Sequence, residues 1–467
     1  MNLTQAGVVE LRRQIQQRSV TSAALVEALI ERTQAQAALN GYVAFDADAL
    51  RAQARTADER IAAGEDLPLL GVPIALKDNI DSVGLPSSAG TGALKGKEPS
   101  EDAEVVRRLR AAGALIAGKA NMHELAFGIT NNNAVTGAAH NPWDATRIPG
   151  GSSGGSGVVV AAGWVPAALG TDTGGSVRVP AALCGLVGFR PTVGRVSGRG
   201  IAPISTTRDT AGPIARSVAD CALLDSVLAG DSEPLATVPL KGVRLGLPKP
   251  YWEAIEPGVR EVMDAALDRL RAAGVEFVEL PMPKLFELAG GVGFPVALFE
   301  FVRDMTDYLR YANRGIDFRQ LVEGVGSPDV SGLAQSLLGA GAVPEGVYQE
   351  ALKTRVQLQA LYADTFSSAG VQALLFPTTP LTAAPIGQDE TVLFNGQQSP
   401  TFTTFIRNTD PGSNAGIPGV SLPAGLSAGL PVGLALDGPA GSDRALLALA
   451  AAIEAVLPPL PSAPWQR

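Results

Sequence analysis

Cysteine, histidine, aromatic residues and charge are all scarce in this sequence, and each scarcity removes a class of function. Cys184 and Cys221 are the only cysteines in 467 residues. Two cysteines make no disulfide framework and suit a reducing compartment, so a cytoplasmic location is expected. His123 and His140 are the only histidines. Together with the cysteines they form no metal-ligand spacing, and neither a metal nor another cofactor is expected. The net charge of −9 comes without a basic stripe, which argues against a nucleic-acid partner. No run of about 18 apolar residues occurs, so no membrane span is expected. Glu10, Arg12 and Arg13 interrupt any apolar core that a signal peptide would need.

What the chain has is apolar bulk. Hydrophobic residues make up 46 % and charged residues 18 %, the latter below the usual quarter. A large, well-buried core fits that balance. One α/β domain over 1–467 fits better than several small ones, although the length allows about three. Residues 1–64 read as N-terminal helices, with Thr21 as an N-cap ahead of the apolar face Leu25, Val26, Leu29 and Ile30. The apolar strand Pro73 to Leu76, a helix from Ser100 to Gly113 and a strand at Leu115 to Ala117 then alternate. That alternation predicts a central mixed, mostly parallel twisted β-sheet covered by helices on both faces. Residues 284–350 are the least regular and gather Phe286, Phe294, Phe299, Phe301, Tyr308, Tyr311 and Phe318. They are expected to be irregular and to shape an apolar substrate pocket, the alternative being helix core. Gly113 to Ala120 matches G-x-x-x-x-G-K, but Ala120 stands where a P-loop needs Ser or Thr for Mg²⁺, so nucleotide binding is not expected.

The stretch Pro149 to Pro191 carries the chemistry. Two glycine-serine knots, P-G-G-S-S-G-G-S-G and G-T-D-T-G-G-S, flank an apolar segment. Glycine at this density lets backbone approach another group closely. Gly150 to Gly154 matches G-x-S-x-G, but that nucleophile elbow needs a histidine later in the chain, and both histidines precede it. Other triad orders stay open. The remaining precedent is a serine nucleophile with a lysine base, whose pKa burial can lower towards neutrality. Lys77, at the end of the apolar run from Pro73, is the best-placed lysine.

These residues resemble the amidase signature family. The resemblance rests on Gly150 to Pro191 and on the upstream V-P-I-A-L-K-D-N, Val72 to Asn79, and extends over nearly the whole chain. It implies a Ser–cis-Ser–Lys triad: Ser176 as nucleophile, Ser152 as the bridging serine after a cis peptide at Gly151, and Lys77 as base. It also implies an oxyanion hole from the N–H groups of Thr173, Gly174, Gly175 and Ser176. Phe127, Gly128, Ile129 and Thr130 become candidate substrate-binding residues, and Ser153, Asp172, Arg178 and Asp209 supporting ones. Asp172 and Arg178 are read as orienting groups paired with each other or as purely structural. Three further pieces, M-H-E-L-A-F-G-I-T, N-T-D-P-G-S-N-A-G-I-P-G and L-D-G-P-A-G-S-D-R, resemble the indoleacetamide and mandelamide hydrolase branch. The expected substrate is a small neutral arylalkyl primary amide. Carbamate, anilide or ester cleavage uses the same acyl-enzyme chemistry and stays open. So does a glutamine-dependent amidotransferase subunit needing partner chains, or a catalytically dead binding protein. A homodimer is compatible with the resemblance.

Overall fold

The computed structural model describes residues 3–466. Within them the chain forms strands β1 (Tyr42–Ala44), β2 (Pro73–Lys77), β3 (Leu115–Ala120), β4 (Ala167–Asp172), β5 (Val187–Arg190), β6 (Thr210–Ala215), β7 (Arg244–Pro248), β8 (Glu276–Leu280), β9 (Ala373–Pro377), β10 (Thr391–Phe394), β11 (Gln397–Pro400), β12 (Gly419–Ser427) and β13 (Leu430–Asp437). Eleven of them make one sheet in the order β1-β3-β2-β4-β6-β5-β12-β13-β9-β7-β8, and β10 pairs with β11 alone. Helices cover this sheet, and apolar side chains from sheet and helices merge into a continuous core. The expected single-domain mixed α/β architecture is present.

The sheet is less parallel than the alternation suggests. β3-β2-β4 and β9-β7-β8 are parallel, while the six other pairings in the sheet are antiparallel. The antiparallel centre includes a hairpin, because β12 and β13 meet through a two-residue loop with Ser427 opposite Leu430. Ala428 and Gly429 both take positive φ, 49° and 82°, the backbone of a type I′ turn, whose twist matches that of paired strands.

Other boundaries also move. The first 64 residues are not all helix. Helices Val8–Gln16, Ser22–Ala35 and Ala47–Ala62 are interrupted by β1, which pairs antiparallel with β3. Thr21 does cap the second of them, accepting from the Ala24 N–H. The helix placed from Ser100 begins at Glu104, after Ala103 as N-cap. Residues 284–350 are helical rather than irregular, with Leu285–Tyr311, Phe318–Glu323, Pro328–Ser336 and the start of Glu345–Ala369. Gly290, Gly291, Gly293 and Pro295 inside the first of these helices hide its period, since both residue types disfavour helix in sequence. Leu285–Tyr311 is long and apolar enough by composition to cross a membrane. Here it packs on Glu345–Ala369, and its buried Glu300 and Asp304 accept from Ser205, Thr206 and Thr207.

β2 is the element that matters most for the site. It runs between β3 and β4, and all five of its residues are buried. A lysine at its C-terminal end therefore cannot leave for solvent along the strand.

Candidate active site

Lys77 ends β2 fully buried. Its Nζ donates to Ser152 Oγ and Thr171 Oγ1, each at 2.8 Å, and to the Thr171 carbonyl at 3.4 Å. Burial lowers its pKa to about 7, while Asp172 and Asp209 pull it partly back up. An ammonium that would ordinarily be charged is thus poised near neutrality beside a serine hydroxyl. Thr171 is fixed in turn by Asn79, whose Nδ2 donates to the same Oγ1 at 3.1 Å.

The first glycine-serine knot delivers Ser152 to that lysine. The Gly151–Ser152 peptide is cis, as the family resemblance implied. Ser153 stitches the two knots together: its Oγ donates to the Thr171 carbonyl at 3.2 Å, and its N–H donates to the Ser176 carbonyl at 3.3 Å.

The second knot is built with its carbonyls tied back and its amides open. Thr173 O accepts from Arg208, Gly174 O from Thr409 Oγ1, Gly175 O from the Val179 N–H and Ser176 O from the Ser153 N–H. None of the four N–H groups from Thr173 to Ser176 has an acceptor among the described residues. Orphan amides in a buried loop are rare unless a ligand or water meets them. Gly175 has φ 143°, and a Cβ there would collide with Thr409 Oγ1, so only glycine fits this turn. Ser176 is 8 % exposed, and its hydroxyl makes no hydrogen bond among the described residues. It opens onto a pocket. The contact from Ser152 to the Ser176 hydroxyl is not closed as a hydrogen bond, a common state of catalytic contacts before substrate arrives.

Asp172 and Arg178 brace this loop from behind. Arg178 Nε and Nη2 reach the two Asp172 oxygens at 3.1 Å each, and Arg190 Nη1 reaches Oδ1 at 3.0 Å. Burial alone would raise the Asp172 pKa, but the Arg178 and Arg190 guanidiniums outweigh it and hold the carboxyl below its ordinary range. Asp172 also accepts the Val177 N–H at 3.2 Å. Asp209 accepts from Thr173 Oγ1 at 2.6 Å and from the Ile204 and Ser205 amides. All four supporting residues therefore lie against one knot or the other.

The segment 127–130 divides. Phe127 lines the pocket with Ser176 and stands edge-on to Phe301, ring centroids 4.6 Å apart. Gly128, Ile129 and Thr130 do not line it. Gly128 lies against the His123 ring, Ile129 backs Gly151, and Thr130 turns away to donate to Asp389 at 2.5 Å. Phe294, Phe402, Ile204 and Ile406 complete the apolar wall, with Arg208 and Asp410 as its polar part. Of the aromatic residues gathered in 284–350, only Phe294 lines this pocket. Sequence reasoning missed Thr171, Asn79, Phe402, Arg208 and Asp410. Thr171, Asn79 and Asp410 lie inside stretches already singled out, G-T-D-T, K-D-N and N-T-D-P, and Arg208 adjoins Asp209, so the signal was present without an assigned role. The Lys119 of the P-loop-like stretch is a buried strand residue, donating to the Ile80 carbonyl at 2.6 Å and to Ser87 Oγ at 2.5 Å. No phosphate cradle forms there.

A family model described as Amidase matches residues 24–447. The indoleacetamide hydrolase of Rhizobium radiobacter is 45 % identical over 433 residues, 92 % of each chain. The mandelamide hydrolase of Pseudomonas putida is 43 % identical over 475 residues, 98 % of this chain and 91 % of its own. A solved structure described as an amidase superposes with a TM-score of 0.86 at 38 % identity, covering 97 % of this chain and all of the other.

Proposed function

The chain belongs to the amidase signature family and is a hydrolase acting on the C–N bond of amides; from that premise we propose that it hydrolyses small neutral arylalkyl primary amides to a carboxylic acid and ammonia through an acyl-enzyme on Ser176. The observation that carries the reading is the buried Lys77 amine, 2.8 Å from Ser152 Oγ with a pKa near 7. Neutral Lys77 takes the proton of Ser152, and Ser152 takes that of Ser176, since a hydroxyl both donates and accepts. Ser176 Oγ then bonds to the amide carbon. The oxyanion meets the open N–H groups of residues 173–176, where loss of one such donor typically lowers rate by about 10²–10³. The proton returns through Ser152 to the leaving nitrogen, the C–N bond breaks, and ammonia departs. Water adds to the acyl-enzyme under the same base, releasing the acid and restoring Ser176.

The walls of the pocket support an arylalkyl acyl group. Phe127, Phe294 and Phe402 offer ring faces and edges, and no uncompensated charge faces them, since Arg208 and Asp410 neutralise each other at 2.6 Å. Two of the most similar relatives are named for amides of aryl-substituted acetic acids.

Initial rates of 2-phenylacetamide, its methyl ester, its anilide, methyl N-phenylcarbamate and glutamine, measured on one preparation, test the assignment. The primary amide should have the highest kcat/KM among the amides, with no ammonia from glutamine. A preference for the carbamate or anilide, or ammonia from glutamine at a comparable rate, would overturn it.

A further inference from the structure

A histidine that the reaction leaves unused sits against the cis-Ser152 turn. His123 is 1 % exposed, and the segment 121–131 around it grips the turn almost residue by residue. The Ile129 backbone lies behind Gly151, where a Cβ would come within 3.0 Å of it. The His123 N–H donates to the Ser152 carbonyl at 3.1 Å, and the Asn121 carbonyl accepts the Gly155 N–H at 2.9 Å. Asn131 Oδ1 accepts the Gly154 N–H at 3.0 Å. Gly154 opens the helix Gly154–Ala161, so this contact also satisfies one of the free amides at a helix start.

The segment does not keep this shape by local preference. Leu125, Ala126 and Asn131 take positive φ of 51°, 63° and 58°, a region that non-glycine residues hold only when their surroundings impose it. The His123 ring is the body the segment closes around. A Cβ on Gly128 would lie 2.1 Å from the ring, and ring Nδ1 accepts the Asn131 N–H at 3.2 Å. A ring nitrogen that accepts carries no proton, so the ring is neutral with its proton on Nε2. Nε2 stands 2.9 Å from Asp329 Oδ2, on the helix Pro328–Ser336, and this carboxylate holds the proton there. Glu124 ties the same two segments together by accepting the Gly326 and Ser327 N–H groups at 3.1 and 2.7 Å.

Resting on the Ser152 relay proposed above, we propose that His123 is a positioning residue for that relay: its Nδ1 closes the 123–131 loop on the Asn131 N–H, and the closed loop keeps Ser152 Oγ between Lys77 and Ser176. Asp329 supports it by fixing the tautomer. The relay hydroxyl has to meet two neighbours in turn, and a misplacement of about 1 Å costs about 10²-fold in rate. Ser152 acts in the transition state rather than in holding substrate, so the loss falls on kcat and not on KM.

The test compares kcat and KM for the best amide of the panel above in wild type, His123→Ala, His123→Asn and His123→Gln. Asn places Oδ1 where the ring has Nδ1, and Gln places its amide nitrogen near the position of Nε2, so each keeps one of the two contacts. His123→Ala should lower kcat about 10–10²-fold with KM within about threefold of wild type. His123→Asn should recover kcat to within about threefold of wild type, and His123→Gln should stay with His123→Ala. Recovery by His123→Gln, or none by His123→Asn, would overturn the proposal, because the Asn131 contact would then not be what matters. Wild-type kcat in His123→Ala would overturn it too, as would a loss confined to KM, which would place the effect on the pocket wall at Phe127. If no His123 variant folds, Asp329→Ala decides, at a side chain 26 % exposed: kcat should fall about tenfold at unchanged KM, and an unchanged kcat would overturn the proposal. Undiminished ammonia release by Ser152→Ala would remove the relay and this proposal together, whereas an inactive Ser152→Ala beside a fully active His123→Ala would overturn this proposal alone.

Discussion

At the scale of single residues, the chemistry turns on how burial changes Lys77. Its pKa is lowered to about 7 by desolvation, so the amine is half neutral at that pH and fully available above it. The kcat/KM for an amide should therefore rise with pH through about 7 and level off above it. Lys77→Ala should lower amide turnover by about 10²–10⁴ and flatten that rise. Activated esters should lose less, because their leaving group needs less proton help. Equal losses on amide and ester would remove Lys77 from the proton path. These residues were legible early because their types and order are restrictive. Two histidines that precede the serines exclude the chain order of a G-x-S-x-G nucleophile elbow, and Lys77, closing an apolar strand, was the best-placed lysine; the roles of Ser152 and Ser176 came from the family resemblance. Thr171 was not legible: a threonine in G-T-D-T reads as loop polarity until Lys77 Nζ is found 2.8 Å from its hydroxyl.

At the scale of elements, the loop from Thr173 to Ser176 is an arrangement of open amides held by partners distant in sequence. Thr409 holds Gly174 O, Arg208 holds Thr173 O, and Asp209 holds the Thr173 hydroxyl. Gly175→Ala tests this. Its φ of 143° and the collision with Thr409 force the loop to move, so kcat should fall by about 10²–10³, the range for a displaced oxyanion donor. KM should change much less. A variant with normal kcat would show that this loop does not hold the oxyanion. The strand that ends in Lys77 was readable from its apolar run. Helix Leu285–Tyr311 was not, because three glycines and Pro295 mask a period that packing on Glu345–Ala369 restores. The β12–β13 hairpin was likewise hidden, since Ala-Gly is a weak turn signal next to Asn-Gly.

At the scale of the whole molecule, buried charge joins distant parts of the chain. Asp172, Arg178 and Arg190 come from β4, from the helix Arg178–Cys184 and from β5, and Ser413 accepts from Arg178 Nη2 at 2.6 Å. Removing one side of such a cluster leaves uncompensated charge, at about 3–5 kcal/mol. Asp172→Asn should therefore lower Tm by several degrees and lower activity with it, and an unchanged Tm would mean that the two arginines are neutralised elsewhere. Lys77 works in the opposite sense. Its folded pKa of about 7 lies below the ordinary lysine value of 10.5, so between these pH values the unfolded chain binds the extra proton and stability rises with pH. Lys77→Met should accordingly gain most in thermal stability, relative to wild type, below pH 7, with the gain shrinking towards pH 10. A gain independent of pH would show that Lys77 is charged in the folded protein. The mixed single-domain architecture was legible from the alternation of strands and helices. The antiparallel centre was not, because β12 pairs with β5 and β13 with β9 across long stretches of chain, and the short β12–β13 turn carries only a weak sequence signal.

The most direct test of the central claim is ammonia release from 2-phenylacetamide by wild type and Ser176→Ala at pH 8, side by side. Release by wild type that vanishes in Ser176→Ala is the expected result. Release that persists in Ser176→Ala at a comparable rate would contradict the assignment of Ser176 as the nucleophile.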